Sequence, residues 1–392
     1  MTTLEVVRPP LRPRARLALI VLLLAQYVGV GVLFPLHAFT SPLGGPGLQA
    51  FALALALGGL LAIYGVWRGH GWGVWLALAV LSLKLTVDLY NWSLALDRAL
   101  LPLSELINGG IALLLFLIPA PASERITRPQ KIFFAAVLAL AANVGVIGMF
   151  NPGHIGATLP FVVPPLHARF LGAMYLSGAT FMALAILAQR WHAIRVVVPM
   201  IAIWTGMLGL VSLFHLEVFD WATPQVWVWF VAYIGFPLIA AWIAWQQRAV
   251  QDHAADAPIA PALRAYFATQ GVIVTLLAVA LFVAPAALAS RWPWPITPLL
   301  AQVYSAPFLS YGLGSLMAAR RHDWSEVRIA VYATLVFTLG VLVASLIHAA
   351  LFDARAPVTW LWFGGFALAS AALVAFALAP KLRTRRAQKE IV

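Results

Sequence analysis

The stretch Leu17 to Leu36 carries no charge over twenty residues and only one amide side chain, Gln26. At about 1.5 Å per residue, a helix of that length crosses the hydrocarbon core of a bilayer. In that medium only a helix or a closed barrel satisfies its own backbone, and uninterrupted apolar runs of this length are helical. Similar runs recur along the whole chain. Hydrophobic residues make up 63% of the 392 and charged residues 10%, against roughly a quarter charged in a soluble domain. A water-soluble globule is excluded.

The expected fold is an all-α integral membrane protein with about twelve transmembrane helices. The segments fall near 17–36, 48–67, 72–92, 100–118, 131–150, 166–188, 196–215, 226–246, 266–288, 298–318, 328–349 and 358–379. The basic residues test this division, because cytoplasmic loops collect Lys and Arg. One side holds Arg8, Arg12, Arg14, Arg16, Arg68, Arg125, Arg128, Lys131, Arg190, Arg195, Arg248, Arg264, Arg320, Arg321, Arg328 and the tail from Lys381 to Lys389. The other holds Arg98, Arg169, Arg291 and Arg355. An extra or missing span would invert every later loop, so the number of spans is even and both termini are expected in the cytoplasm. Arg far outnumbers Lys, in keeping with a GC-rich bacterial source and an inner-membrane location. The first span reads as a retained anchor, since no small-residue cleavage site follows it.

The formal charge of +12 therefore sets topology, and no nucleic-acid partner is expected. Cysteine is absent, which excludes disulfides and thiolate chemistry. No loop is long enough for a folded soluble domain. The longest cytoplasmic connection, 247–265, contains Asp252, Asp256, Pro258 and Pro261 and reads as a flexible linker.

A shift of 133 positions aligns spans five to eight with spans nine to twelve without a gap. It matches Pro152 with Pro285, Pro160 with Pro293, Trp191 with Trp324, Arg195 with Arg328, Ser212 with Ser345, His215 with His348 and Asp220 with Asp353. Pro224, Trp227 and Trp229 meet Pro357, Trp360 and Trp362 in the same register. Shared Trp, His, Asp and Pro in one register mark a duplication. The first four spans look like a diverged third copy: Pro35 takes the place of Pro152, and Leu48-Gln49-Ala50 that of Leu166-His167-Ala168. Asp97 and Pro102 echo Asp220 and Pro224. Even-numbered units start from the same face, so the repeats are parallel. The expected organisation is a basic N-terminus 1–16, units 17–120, 131–246 and 266–380, the linker, and a basic tail 381–392.

Trp227, Trp229, Trp360 and Trp362, and also Trp191 and Trp324, are expected as interfacial anchors. The proline-rich stretch from Trp292 is expected as a stiff elbow that sets the angle of the tenth span. Chemistry is sought among polar residues inside spans, which lipid tolerates only when they face protein or water. Lys84 and Asp88, four apart, share a helix face and can pair. Glu105 and Asn108 lie at a comparable outer depth, and Asn143, Arg169 and Gln302 also fall in the outer half. This suggests an outward-facing polar crevice, although an intrahelical Lys-Asp pair also serves as glue between helices. Ser212, His215 and Asp220, with Ser345, His348 and Asp353, gather at outer helix ends. They suit either a proton-sensitive gate or caps for free carbonyls. His37, His154, His167, His215 and His348 lie on the outer side without compact metal-ligand spacing.

No phosphate-binding glycine loop is present and no cofactor is expected. The turn Arg68-Gly69-His70-Gly71 lacks the loop motif of major facilitator transporters, and a four-span repeat conflicts with their six-plus-six division. The elbow Trp292-Pro293-Trp294-Pro295-Ile296-Thr297-Pro298-Leu299 followed by Ala301, with Arg320-Arg321-His322-Asp323-Trp324 after the span, resembles uncharacterised multi-spanning proteins of high-GC bacteria. The resemblance covers one four-span unit and its twin, and it brings no activity to transfer.

Two functions compete. One is a secondary transporter or permease-like protein for a small molecule or ion, in keeping with repeats and intramembrane charge. The other is a non-transporting scaffold or lipid- or partner-binding subunit, in keeping with Trp belts and the absence of an evident broken helix. No set of residues specifies a catalytic site.

Overall fold

The structure, a computed structural model, describes residues 13–40, 45–94, 101–118, 123–161, 163–250 and 257–390, with side chains as far as residue 379. Arg8, Arg12, Asp97, Arg98, Asp252 and Asp256 lie outside these residues, as do the side chains of the basic tail.

Helices stand at all the expected positions: α1 (Pro13–Thr40), α2 (Pro46–Trp67), α3 (Gly71–Ser93), α4 (Leu101–Leu117), α5 (Arg128–Phe150) and α6 (Pro165–Leu187). They continue with α7 (Trp191–Phe214), α8 (Pro224–Gln246), α9 (Pro261–Val283), α10 (Pro298–Ala319), α11 (Trp324–Ile347) and α12 (Pro357–Glu390). Among the described residues, ten are long and apolar enough to cross a membrane, and no named strand occurs. The two others are α4, of 17 residues, and α10. The latter holds Gln302, Tyr304, Ser305, Ser310 and Tyr311, yet most of its residues are buried by neighbouring helices. A helix shielded by protein does not need the apolarity that lipid demands. Large apolar side chains such as Leu106, Phe150 and Leu361 are exposed, as on a helical membrane protein.

Proline opens α2, α5, α6, α9 and α10 in the first turn, where its missing N–H costs nothing. Two capping boxes, Thr127 with Gln130 and Asp323 with Glu326, start α5 and α11.

The chain forms two compact units. The first comprises the described residues within Met1–Ser123 and Phe230–Val250, the second those within Glu124–Trp229 and Gln251–Val392. In the first, α1 packs on α2 and α4, and α3 packs on both α2 and α4. The α2–α3 turn passes through Gly69 at φ +76°, a conformation that side chains with a Cβ resist. The end of α4 is met by side chains of α8. Trp242 donates to the Leu115 carbonyl at 2.9 Å, Trp245 to Phe116 at 3.0 Å and Gln246 to Ile118 at 2.8 Å, which satisfies carbonyls that the helix itself leaves free.

In the second unit α5 packs on α6 and α9 on α10, while α6 packs on α11 and α10 on α7. Several contacts recur at positions 133 residues apart. The Trp191 N–H donates to the Glu124 carbonyl at 2.7 Å and the Trp324 N–H to Ala257 at 2.8 Å, beside the bridges Arg125–Arg190 and Pro258–Asp323. The end of the expected flexible linker is thus tied down at Ala257 and Pro258. Other contacts are crossed. Ser177 donates to the Ala333 carbonyl at 2.5 Å, while Ser310, 133 positions after Ser177, donates to the carbonyl of Met200, 133 positions before Ala333, at 2.8 Å.

Several tryptophans depart from the expected anchoring role. Trp360 is exposed, but Trp191, Trp229 and Trp362 are buried. The elbow does more than orient α10: Trp294 is 2% exposed and packs edge-on against Trp362, with ring centroids 4.9 Å apart. An indole buries more apolar surface inside a bundle than at its rim, provided its N–H finds a partner. Trp229 and Trp362 find theirs in serines on the preceding helix, whereas the indole nitrogens of Trp191 and Trp294 are buried without a partner among the described residues.

Candidate functional site

In the first unit, three helices bring their polar residues to one place. Lys84 and Asp88 on α3 are 6% and 5% exposed and form an ion pair within one helix turn. The remaining bonding capacity of both is largely taken up by neighbours. Lys84 donates to Ser104 Oγ at 2.7 Å, and Ser104 donates onward to Asp88 Oδ2 at 3.0 Å. Asn108 donates to the same oxygen at 2.9 Å, and Gln26 on α1 donates to Asn108 at 2.9 Å. Buried charges persist only when paired and hydrogen-bonded in this way. Gln26 and Ser104 are not among the polar residues singled out from the sequence. Their signal is nevertheless present: Gln26 is the one amide in an otherwise apolar span, and Ser104 lies four residues before Asn108 on the same helix face.

The network opens onto a cavity of about 280 Å³, lined by Gly29, Phe34, His37, Val87, Asn91 and Ile107 as well as by the network itself. On one side α1 departs from α-helical geometry: Val28–Leu33 is a π-helical segment. The helix nevertheless runs without a break from Pro13 to Thr40. A Cβ placed on Gly29 would lie 3.1 Å from Lys84 Cε, so glycine lets the lysine stem lie against the π segment. Such segments recur at functional sites because they interrupt the regular bonding of the helix. Among the described residues, the buried His37 Nε2 has no hydrogen-bond partner. Glu105 does not line the cavity. It is exposed on α4, within electrostatic reach of Asp88 and Lys84.

The other singled-out residues lie in the second unit. Asn143 is exposed on α5 and, among the described residues, joins no polar group. Arg169 and Gln302, equivalent under the repeat shift, reach the two equivalent histidines crosswise. Arg169 donates to His348 Nε2 at 2.7 Å, and His215 Nε2 meets Gln302 Oε1 at 2.6 Å. The two histidines are helix C-caps, at backbone angles outside the α-helical region. The serines three residues before them do not bond the imidazoles. Ser212 and Ser345 instead accept from Trp229 and Trp362, at 2.8 and 2.9 Å. Asp220 and Asp353 turn back on their own loops and accept from the N–H groups of Ala222 and Arg355, at 2.9 Å each. Burial, and then the Arg169 charge, hold the His348 imidazole below its usual range, so it stays neutral and able to accept. Among the described residues, no group of three or more His, Asp or Glu is placed to hold a metal ion.

Comparison with protein-family models, curated proteins and solved structures finds no match. The functional reading rests on the residues themselves.

Proposed function

We propose that the chain crosses the bilayer of a bacterial inner membrane about twelve times, as parallel four-helix repeats with both termini in the cytoplasm. In this reading it acts as a secondary transporter or permease-like protein, taking a small molecule or ion from the extracytoplasmic side into the cavity beside Lys84 and Asp88. The observation that carries the reading is the cavity's position: a closed polar network forms one wall and the π-helical segment of α1 another. Polar groups among apolar spans mark pathways, and π-helical segments recur at functional sites. Crossed contacts in the register of the duplication support the repeats.

One feature favours the second function, a lipid- or partner-binding subunit. Leu33 and Leu103 on the cavity wall are also exposed on the outer surface of their helices, which would let an acyl chain reach the network from the side.

The chain has no cysteine, so single cysteines at Asp88, Asn91, Ser104 and Glu105, with controls at Leu106 and Leu113, need no engineered background. Membrane-impermeant thiol reagent applied to intact cells is expected to label positions 91, 104 and 105 and to leave 106 and 113 unlabelled. No labelling at 88, 91 or 104 would remove the outward aqueous crevice, and the network would then be packing glue beside a lipid or partner site.

A further inference from the structure

The crossed pairs of the second unit are equivalent in backbone but not in charge. On one side His215 lies 3.6 Å from the carboxylate of Glu217 and bonds the neutral Gln302. On the other, Arg169 replaces Gln302, and Ala350 stands at the position equivalent to Glu217, in the same 3₁₀ turn after the histidine. A cation has been gained where a carboxylate is lacking. Among the described residues, no carboxylate pairs with Arg169. Its one side-chain hydrogen bond among them goes to His348, and its Nε is buried without a partner.

The surroundings raise the positive potential further. Arg169 lies just past the first turn of α6, which begins at Pro165, so the guanidinium sits at the positive end of a 23-residue helix. Free N–H groups and the helix dipole favour an anion there, not a cation. Guanidinium has only donors, so His348 must accept at Nε2, which leaves its proton on Nδ1 as a further donor. Donors and positive potential without an acid describe half of an ion pair.

We infer that Arg169 and His348 form a binding site for a phosphate group in the half that lacks this carboxylate. A guanidinium that keeps free N–H groups matches the tetrahedral oxygens of phosphate, and a helix N-terminus adds to the attraction. The phosphate has two sources, a phospholipid headgroup at the membrane surface or inorganic phosphate from solution.

The full chain, purified in detergent, is titrated with phosphatidylglycerol and separately with phosphate-free diacylglycerol, and bound lipid is counted by native mass spectrometry. Inorganic phosphate is titrated by calorimetry. Arg169→Gln installs the side chain of the equivalent half, and Ala350→Glu supplies the carboxylate while leaving Arg169 in place. One phosphatidylglycerol or one phosphate is expected to bind the natural chain, and each variant is expected to weaken it about tenfold or more, as loss of a charge-assisted hydrogen bond does. Lipid alone binding assigns the site to a headgroup; inorganic phosphate binding or displacing it assigns a soluble anion. Equal binding by the natural chain and by both variants, each as monodisperse and heat-stable as the natural chain, overturns the site. So does diacylglycerol binding as well as phosphatidylglycerol while inorganic phosphate does not bind.

Discussion

Lys84 and Asp88 show how a single residue's cost depends on its partner. Replacing Lys84 with Met leaves the Asp88 carboxylate buried without its cation, at a cost of about 3–5 kcal/mol. The double variant Lys84→Met/Asp88→Leu removes both charges and is expected to recover most of that loss in a thermal unfolding assay in detergent. Recovery of stability without recovery of ligand binding would separate the pair's structural role from its functional one. His348 offers a second test at this scale. Its folded-state value lies below the unfolded one, so its contribution is complete above the unfolded value, about 6.5. That contribution shrinks as pH falls through about 6.5 toward the folded value, because the unfolded chain binds the proton more readily. The midpoint of thermal unfolding should drop between about pH 8 and pH 5, and drop less in His348→Gln, whose amide oxygen still accepts from Arg169. An equal drop in both would assign the pH dependence to other groups.

At the scale of the element, the positions of the helices were legible and their internal departures were not. Apolar length, proline in the first turn and the alternation of basic loops place every helix to within a few residues, because crossing hydrocarbon and starting a helix are local requirements. The π segment in α1 was not legible. Nothing in Val28–Leu33 forbids a regular helix, and the distortion coincides with a contact to Lys84 on another helix. Trp229 and Trp362 illustrate the same limit. A tryptophan near the end of a span satisfies either the headgroup region or a buried acceptor, and only the packed position of Ser212 and Ser345 decides. The α2–α3 turn, by contrast, is read locally. Gly69→Ala forces a Cβ into left-handed backbone and is expected to cost about 1–2 kcal/mol, measured by thermal unfolding. An unchanged midpoint would show that the turn relaxes to another conformation.

At the scale of the whole molecule, equivalent contacts should carry equivalent energy. Ser212→Ala and Ser345→Ala each strand a buried indole N–H, and each is expected to cost about 1–3 kcal/mol. The two sites share no residue, so the double variant should lose the sum within about 0.5 kcal/mol. A marked departure from additivity in the unfolding midpoint would mean that the two halves respond as one coupled body at these positions.

What the sequence determined by itself is the class of the fold and the position of its helices, since both follow from local hydropathy. It also placed Lys84 within reach of Asp88, because residues four apart lie on one face of a helix. Only the tertiary structure joined Gln26, Ser104 and Asn108 to that pair, crossed Arg169 and Gln302 to the opposite histidines, and turned Trp294 inward. These contacts lie between helices distant in sequence. Which faces meet is settled by the packing of the whole unit and the need to satisfy each buried polar group, and neither is written in the periodicity of a single helix.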